Sequence, residues 1–490
     1  MLKIKYAIGI LALCICSSFA FYKKNASTKT PNVIFILADD LGYGDIGCFG
    51  QKIIATPHID RLATEGVRLT QHYAGSTVCA PSRCALMTGK HVGHTSIRGN
   101  QPVGQLIKPE ETTLAEVFKQ AGYATGIIGK WGMGNKPPND DPLKNGFDYH
   151  FGFVDMWHAH TFFPEFLYKN GERYPLEGNK SEMTPEAQKV LGENRKIPED
   201  ICLGIGTQKA KYVPYEFDRE VGEFLDKNKE KPFFLMLTVN TPHANSEFKK
   251  DGMEVTDYGE FAEKDWKSSE KGFAKMMRDL DNTVGKISAK IKEMGLDDNT
   301  IIIFTSDNGP HNEGGHSADY FDSNGLLRGT KRDMYEGGIR VPTIVRWKNT
   351  IKSNTESRHI SAFWDWLPTF CDITGGTKPT NIDGISLLPT LKNNPKAQKK
   401  HKYLYWEFYE LGGRQAVLWN DWKLIKLNVE DPSKTTVELY NLKTDVSETK
   451  NIAQQNPTIV KQMSGMMREA HQPFALADLF KKTGTKASGF

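Results

Sequence analysis

Asp39-Asp40 and Asp307-Asn308 each follow directly on a short apolar run, and together they supply three carboxylates and one amide oxygen. Oxygen donors of this kind suit a hard divalent cation, calcium ahead of magnesium. Two further apolar runs also end on chemically useful residues. ATGIIG runs into Lys130, and FFLMLTV leads to Asn240 and His243. The remaining ingredient is a cysteine in an odd setting: residues 78–89 read VCAPSRCALMTG. The spacing of Cys79 and Cys84 suits neither a zinc knuckle nor an ordinary disulfide. Three readings of Cys79 are open: core packing, a thiolate nucleophile activated by a histidine and a helix start, or the precursor of another group.

These residues need a scaffold that brings them together. The runs VIFILA, ATGIIG, FFLMLTV and IIIFTS are continuous, rich in β-branched and aromatic residues, and read as buried strands of a parallel sheet. Ligands of such sheets bind at the carboxyl ends of the strands, where all four polar sets fall. Helical patterns lie between the runs. Thr56-Pro57 opens one and Gly66 closes it, Thr113 and Glu116 form a capping box ahead of a helix ended by Gly122, and Pro81 and Gly89 bracket a third. A stripe from Phe273 to Met294 reads as core packing. The predicted fold class is therefore α/β, with helices on both faces of a large, mostly parallel sheet. Residues 151–220 hold no clear sheet pattern and read as an insertion near the site. Beyond about residue 385, YLYWEF, AVLW, WKLIKL and VELYNL predict a small antiparallel sheet with a closing helix.

The organisation expected is a signal peptide over 1–20, a catalytic domain over 30–385 and a C-terminal subdomain over 386–490. The first of these rests on a basic start, MLKIKY, an apolar stretch too short to span a bilayer, and a small-x-small site at Ser18-Phe19-Ala20. Export follows as an expectation: a periplasmic protein, with secretion or lipid attachment at Cys14 or Cys16 as variants. No later segment is apolar enough to cross a membrane. Cys48, Cys79, Cys84, Cys202 and Cys371 would remain, too few and scattered for a disulfide framework. Cys84 is expected in the core. Sixty-three Lys and Arg against 59 Asp and Glu give no reason to expect a nucleic-acid partner.

The stretch CAPSRCALMTG resembles the Cys-x-Pro-Ser-Arg signature of type I sulfatases, members of the alkaline-phosphatase-like superfamily. The likeness extends from PNVIFILADDLGYGD to LYNLKTDVSETKNIA. It implies that Cys79 is oxidised to Cα-formylglycine by a maturation enzyme that reads Pro81 and Arg83. The hydrated aldehyde offers one hydroxyl to attack sulfur and a second to expel sulfate. The resemblance further implies one calcium ion held by Asp39, Asp40, Asp307, Asn308 and the residue derived from Cys79. Arg83 would hold the formylglycine hydroxyl, and Lys130 would bridge it to sulfate. His243 would protonate the leaving-group oxygen, and Lys331 would contact the ester.

One position departs from the family pattern. The family has Gly-Lys-Trp-His-x-Gly, and this chain reads GKWGMG, with Gly132 in place of the histidine. His94, His158 and His160 are candidates to reach in instead. A looser likeness to bacterial carbohydrate sulfatases of galactose-type sugars implies a sulfated saccharide substrate, with His94, Arg98, Asn100, His158, His160, Glu407 and Arg414 as contact candidates. Two alternatives stand beside this reading: a phosphoester or phosphonate hydrolase of the same superfamily, and a non-catalytic binder of sulfated glycans.

Overall fold

The computed structural model describes residues 30–100, 105–134, 141–191 and 201–475. The expected signal peptide lies outside them. A ten-stranded sheet forms the centre, in the order Thr355–Ser357, Val67–Leu69, Thr343–Trp347, Thr300–Ser306, Asn32–Ala38, Phe233–Thr238, Ala124–Gly134, Tyr149–Asp155, Phe166–Lys169 and Glu172–Pro175. The four apolar runs read from the sequence are the four adjacent strands at its middle, and with Tyr149–Asp155 they run parallel. Every residue of Asn32–Ala38 is buried, as a strand covered on both faces must be.

The two faces follow the period of two along that strand. Ile34 and Ile36 pack with Leu62 of the helix Pro57–Thr64, Phe217 and Phe224 of Val213–Asn228, and Phe273 and Met277 of Ser268–Glu293. Val33, Phe35 and Leu37 pack instead with Leu86 of Cys79–Thr88, Phe118 of Leu114–Gln120 and Phe370 of Trp366–Thr374. The capping box of Thr113 and Glu116 is formed. Thr56 does not cap its helix with its side chain; the Asp281 carboxylate, from the long helix, accepts the His58 and Ile59 N–H groups instead.

Residues 151–220 carry more sheet than the sequence signalled. Tyr149–Asp155 joins the parallel set, and the Phe166–Lys169/Glu172–Pro175 hairpin extends the edge. The pattern is obscured because FLYK is mostly buried while its partner ERYP is mostly exposed, and both strands are only four residues long. Gly152 also looks like a breaker. It is needed because a Cβ there would lie 2.0 Å from the Gly129 carbonyl oxygen of the neighbouring strand.

The C-terminal segments form a separate four-stranded antiparallel sheet, Leu404–Phe408, Arg414–Trp419, Trp422–Leu427 and Thr436–Asn441. One face takes the helix Pro457–Ala470 through Tyr405, Val417, Met463 and Met467. The other packs Leu404, Trp406 and Phe408 against Tyr73, Val78 and Ala85. That second face therefore supports the segment that carries Cys79.

Candidate active site

The strand ends deliver the predicted residues to one point. Asp39 and Asp40 leave Asn32–Ala38, Asp307 and Asn308 leave Thr300–Ser306, His243 follows Phe233–Thr238, and Lys130 lies within Ala124–Gly134. Cys79 is the first residue of the helix Cys79–Thr88, which Gly89 ends in the left-handed conformation at φ 68°. Pro81 lies in the first turn, where a missing N–H costs nothing. Ser82 ties the helix down: its Oγ donates to the Asp307 carbonyl oxygen at 2.5 Å and accepts the Gly75 N–H at 3.0 Å.

The bottom of the site is an ionic lattice closed to solvent. Cys79 Sγ is 3.3 Å from Asp39 Oδ1, and Lys130 Nζ donates to Asp39 Oδ2 at 2.7 Å. Arg83 grips Asp307 Oδ2 through Nε at 3.0 Å and Nη2 at 2.8 Å, and its Nη1 donates to the Lys130 carbonyl oxygen at 2.6 Å. Lys331 Nζ lies 2.8 Å from Asp40 Oδ2, 3.1 Å from His243 Nε2 and 3.1 Å from Glu313 Oε2. Burial, and after it the Asp39 carboxylate, pushes the Cys79 thiol well above its ordinary pKa. An unmodified Cys79 is therefore a thiol, not a thiolate.

The donor set fits a hard cation. Asp39, Asp40, Cys79 and His243 each bring a ligand atom within 4.8 Å of one another. Asp307 borders them, its Oδ1 accepting the Asp40 N–H at 3.1 Å, and buried Asn308 Oδ1 has no hydrogen-bond partner. Burial and the neighbouring Asp39 charge raise the Asp307 carboxyl to about 7 even with Arg83 beside it, the response of crowded buried carboxylates. Asp39, Asp40, Asp307 and Glu313 are matched by Arg83, Lys130, Lys331 and Arg332. A divalent ion would turn that balance positive, as an entering sulfate ester requires.

Above the lattice opens a cleft of about 70 Å³, lined among others by Cys79, Asn100, Trp157, His160, His243 and Lys331. The predicted contact residues divide around it. His160 stacks on His243 and is held by Glu247 through Nδ1 at 3.0 Å. Asn100 accepts the Ala80 N–H at 3.0 Å, so it caps the helix of Cys79 as well as lining the cleft. The other five do not line it. His158 is sealed among Phe153, Phe166 and Tyr168. His94 pairs with Asp383 at 2.9 Å beside His91. Arg98 is buried against Glu407 at 2.9 Å, and Glu407 and Arg414 border a neighbouring groove. Arg414 Nη1 reaches the Arg332 carbonyl oxygen at 2.9 Å, so it braces the segment of Lys331.

Sequence reasoning passed over Glu313, Arg332, Glu247 and Glu410. All four lie within five residues of recognised ones, in DNGPHNE, TKRD, PHANSE and WEFYELGGR, but acidic and basic residues are common there and the spacing does not say which face the cleft.

Cys84 is fully buried in the core, and no cysteine among the described residues is in a disulfide. No helix among the described residues is long and apolar enough to cross a membrane.

This fold and this site are those of a sulfuric ester hydrolase. The sulfatase family profile matches residues 31–376, and the chain belongs to that family. A second profile, N-sulphoglucosamine sulphohydrolase C-terminal, matches 328–472. An N-acetylgalactosamine-6-O-sulfatase of Bacteroides thetaiotaomicron is 30% identical over 94% of this chain and 96% of its own. A steryl-sulfatase of Rattus norvegicus is 30% identical over 76% of this chain and 72% of its own. Among solved structures, Ps i-CgsB in complex with k-i-k-neocarrahexaose superposes with a TM-score of 0.74 at 28% identity, covering 94% of this chain and 98% of that one.

Proposed function

We propose that the protein is an exported, calcium-dependent sulfatase that removes sulfate from a galactose-configured sugar of a sulfated saccharide, using a Cα-formylglycine made from Cys79 by a maturation enzyme. The single observation that carries the reading is the placement of Cys79 Sγ at the floor of the cleft, beside Asp39, with Lys130 and Arg83 behind it. A saccharide substrate is favoured by the relative named for N-acetylgalactosamine, which matches nearly the whole chain. Export is favoured by the basic and apolar N-terminal segment.

When present, the formylglycine hydrate supplies the nucleophilic hydroxyl and the calcium ion supplies positive charge; Asp39, Asp40, Asp307 and Asn308 would hold that ion. The chain's own residues do the rest. Lys130 and Arg83 present fixed positive charge in a water-free floor, where it stabilises a sulfuryl group that gains charge in transit. Lys331 and His243 form a hydrogen-bonded pair on the substrate side of the cleft. His243 Nδ1 donates to the Ala244 carbonyl oxygen, so Nε2 is an acceptor and Lys331 is the donor of the pair. Burial and Lys331 hold the His243 pKa well below the ordinary range, and the carboxylates of Asp40 and Glu313 raise that of Lys331. Lys331 Nζ is thus the protonated member of the pair, and its hydrogen bond orients the His243 ring toward the cleft.

The test is release of free sulfate from sulfated galactan oligosaccharides by purified protein, with mass analysis of the peptide spanning residue 79. Sulfate release together with an aldehyde at position 79 is the expected result. Binding without release, or full activity from a protein whose Cys79 is wholly unmodified, would sink the reading.

A further inference from the structure

The cleft that His243 and Lys331 line also holds the carboxylate of Glu410. Glu410 follows the strand Leu404–Phe408 and enters the turn that Leu411 makes at φ 56°, which carries its side chain away from the groove of Glu407 and into the cleft. Its Oε1 is shut off from solvent and has no hydrogen-bond partner, while the carboxyl takes a hydrogen bond from the Asn100 backbone. A buried acceptor left open in this way is costly, and native structures keep few of them without a use. Arg332 lines the same cleft, with Nη1 fixed to Glu313 Oε1 at 2.7 Å. It stands at φ 76°, a left-handed backbone that a residue other than glycine adopts at a cost. The Arg414 contact to its carbonyl oxygen helps hold it there.

A carboxylate acceptor and a guanidinium donor on one cleft match a group that both donates and accepts, and a hydroxyl is that group. We infer that Glu410 and Arg332 read a sugar hydroxyl beside the scissile ester, and so set the enzyme's preference for saccharide sulfates over sulfates of hydroxyl-poor alcohols. The inference rests on the carbohydrate reading given above. Glu410 accepts the hydroxyl proton on Oε1 while Arg332, steadied by Glu313, donates to the same oxygen or its neighbour. Trp157 lines the cleft as well and offers an apolar face to the ring. An aryl or steryl sulfate brings no hydroxyl to this wall and leaves Oε1 open, which penalises it. Glu407, the acidic residue that stands out in the sequence, is occupied by Arg98, Tyr405 and His471 and plays no part in this contact.

The measurement is kcat/KM of wild type, Glu410→Gln and Glu410→Ala on a sulfated galactose oligosaccharide and on 4-nitrophenyl sulfate, with thermal melting as a control for folding. The ratio of saccharide to aryl kcat/KM is expected to fall at least about tenfold in both variants, with Arg332→Ala following in the same direction. Wild type active on the saccharide with a ratio unchanged in both Glu410 variants would overturn this inference alone. Wild type that releases sulfate from the aryl ester but from no saccharide would overturn the carbohydrate reading and this inference with it.

Discussion

The imidazole of His160 lies almost flat on that of His243, with ring centroids 4.7 Å apart and planes 20° from parallel. Glu247 holds the far side of His160 through Nδ1, and Lys331 holds His243. On the mechanism proposed above, His160 would act as a positioning residue that fixes the plane of the His243 ring. His160→Ala should lower kcat about tenfold or more with a smaller change in KM, and His160→Phe, which keeps a flat ring in the stack, should recover much of the loss. The pH profile of kcat is the discriminating readout. It should shift in His160→Ala, since a purely structural defect would lower its height without moving it.

Chelation should act on the same centre from below. If the proposed calcium ion sits among Asp39, Asp40, Asp307 and the open Asn308 Oδ1, a calcium chelator should abolish sulfate release and lower the melting temperature. Added calcium should restore both. Asn308→Ala should raise the calcium concentration needed for half-maximal activity. Full activity after exhaustive chelation would rule out the metal.

Gly132 is expected to resist restoration of the family histidine. Its backbone sits at φ 67°, and a Cβ there would lie 3.1 Å from Lys130 Cε and 3.2 Å from Lys130 Cγ. The strand pairing is irregular between Lys130 and Gly134, so the local course of the chain has already departed from a regular ladder. Gly132→His should cost about 1–3 kcal/mol from the left-handed backbone alone. It should also displace Lys130 and reduce turnover. A gain in turnover would show instead that the missing histidine limits the rate. Of the three histidines weighed as its replacement, only His160 lines the cleft, and it is engaged with His243.

Lys423 links the small sheet to the segment that carries Lys331. Its Nζ lies 2.9 Å from Glu336 Oε1 and 3.1 Å from Glu448 Oε1, and all three side chains are fully buried. Burial, and then the repulsion of Glu336, raises Glu448 to about 7 even with Lys423 in place. Removing Lys423 leaves Glu448 without its cation and Glu336 with Arg340 alone, at 3.3 Å. Lys423→Met should cost about 3–5 kcal/mol, read as a drop in denaturation midpoint. A change below about 1 kcal/mol would mean that the cluster relaxes by admitting water or a proton.

Much of this protein was legible in its sequence, for a physical reason. The central strands are buried on both faces, so each is an unbroken apolar run, and the chemistry must sit where the run stops. Asp39, Asp40, Lys130, His243, Asp307 and Asn308 all stand at or just after such ends. The short aromatic segments after residue 385 were equally clear, because strands with two different faces alternate. Identical logic failed for Tyr149–Asp155 and its hairpin, where a glycine and polar residues hide a strand that the neighbouring backbone completes.

Tertiary structure alone decided which side chains reach the cleft. His158 and His160 are two residues apart, yet one is sealed among aromatic rings and the other stacks on His243. Glu407 and Glu410 are three apart, yet the strand gives the first to Arg98 and the turn gives the second to the cleft. Residue type and spacing specify what a side chain can do. Direction is set by the register of the strand and the dihedrals of the turn, and the residues packed behind those elements come from hundreds of positions away.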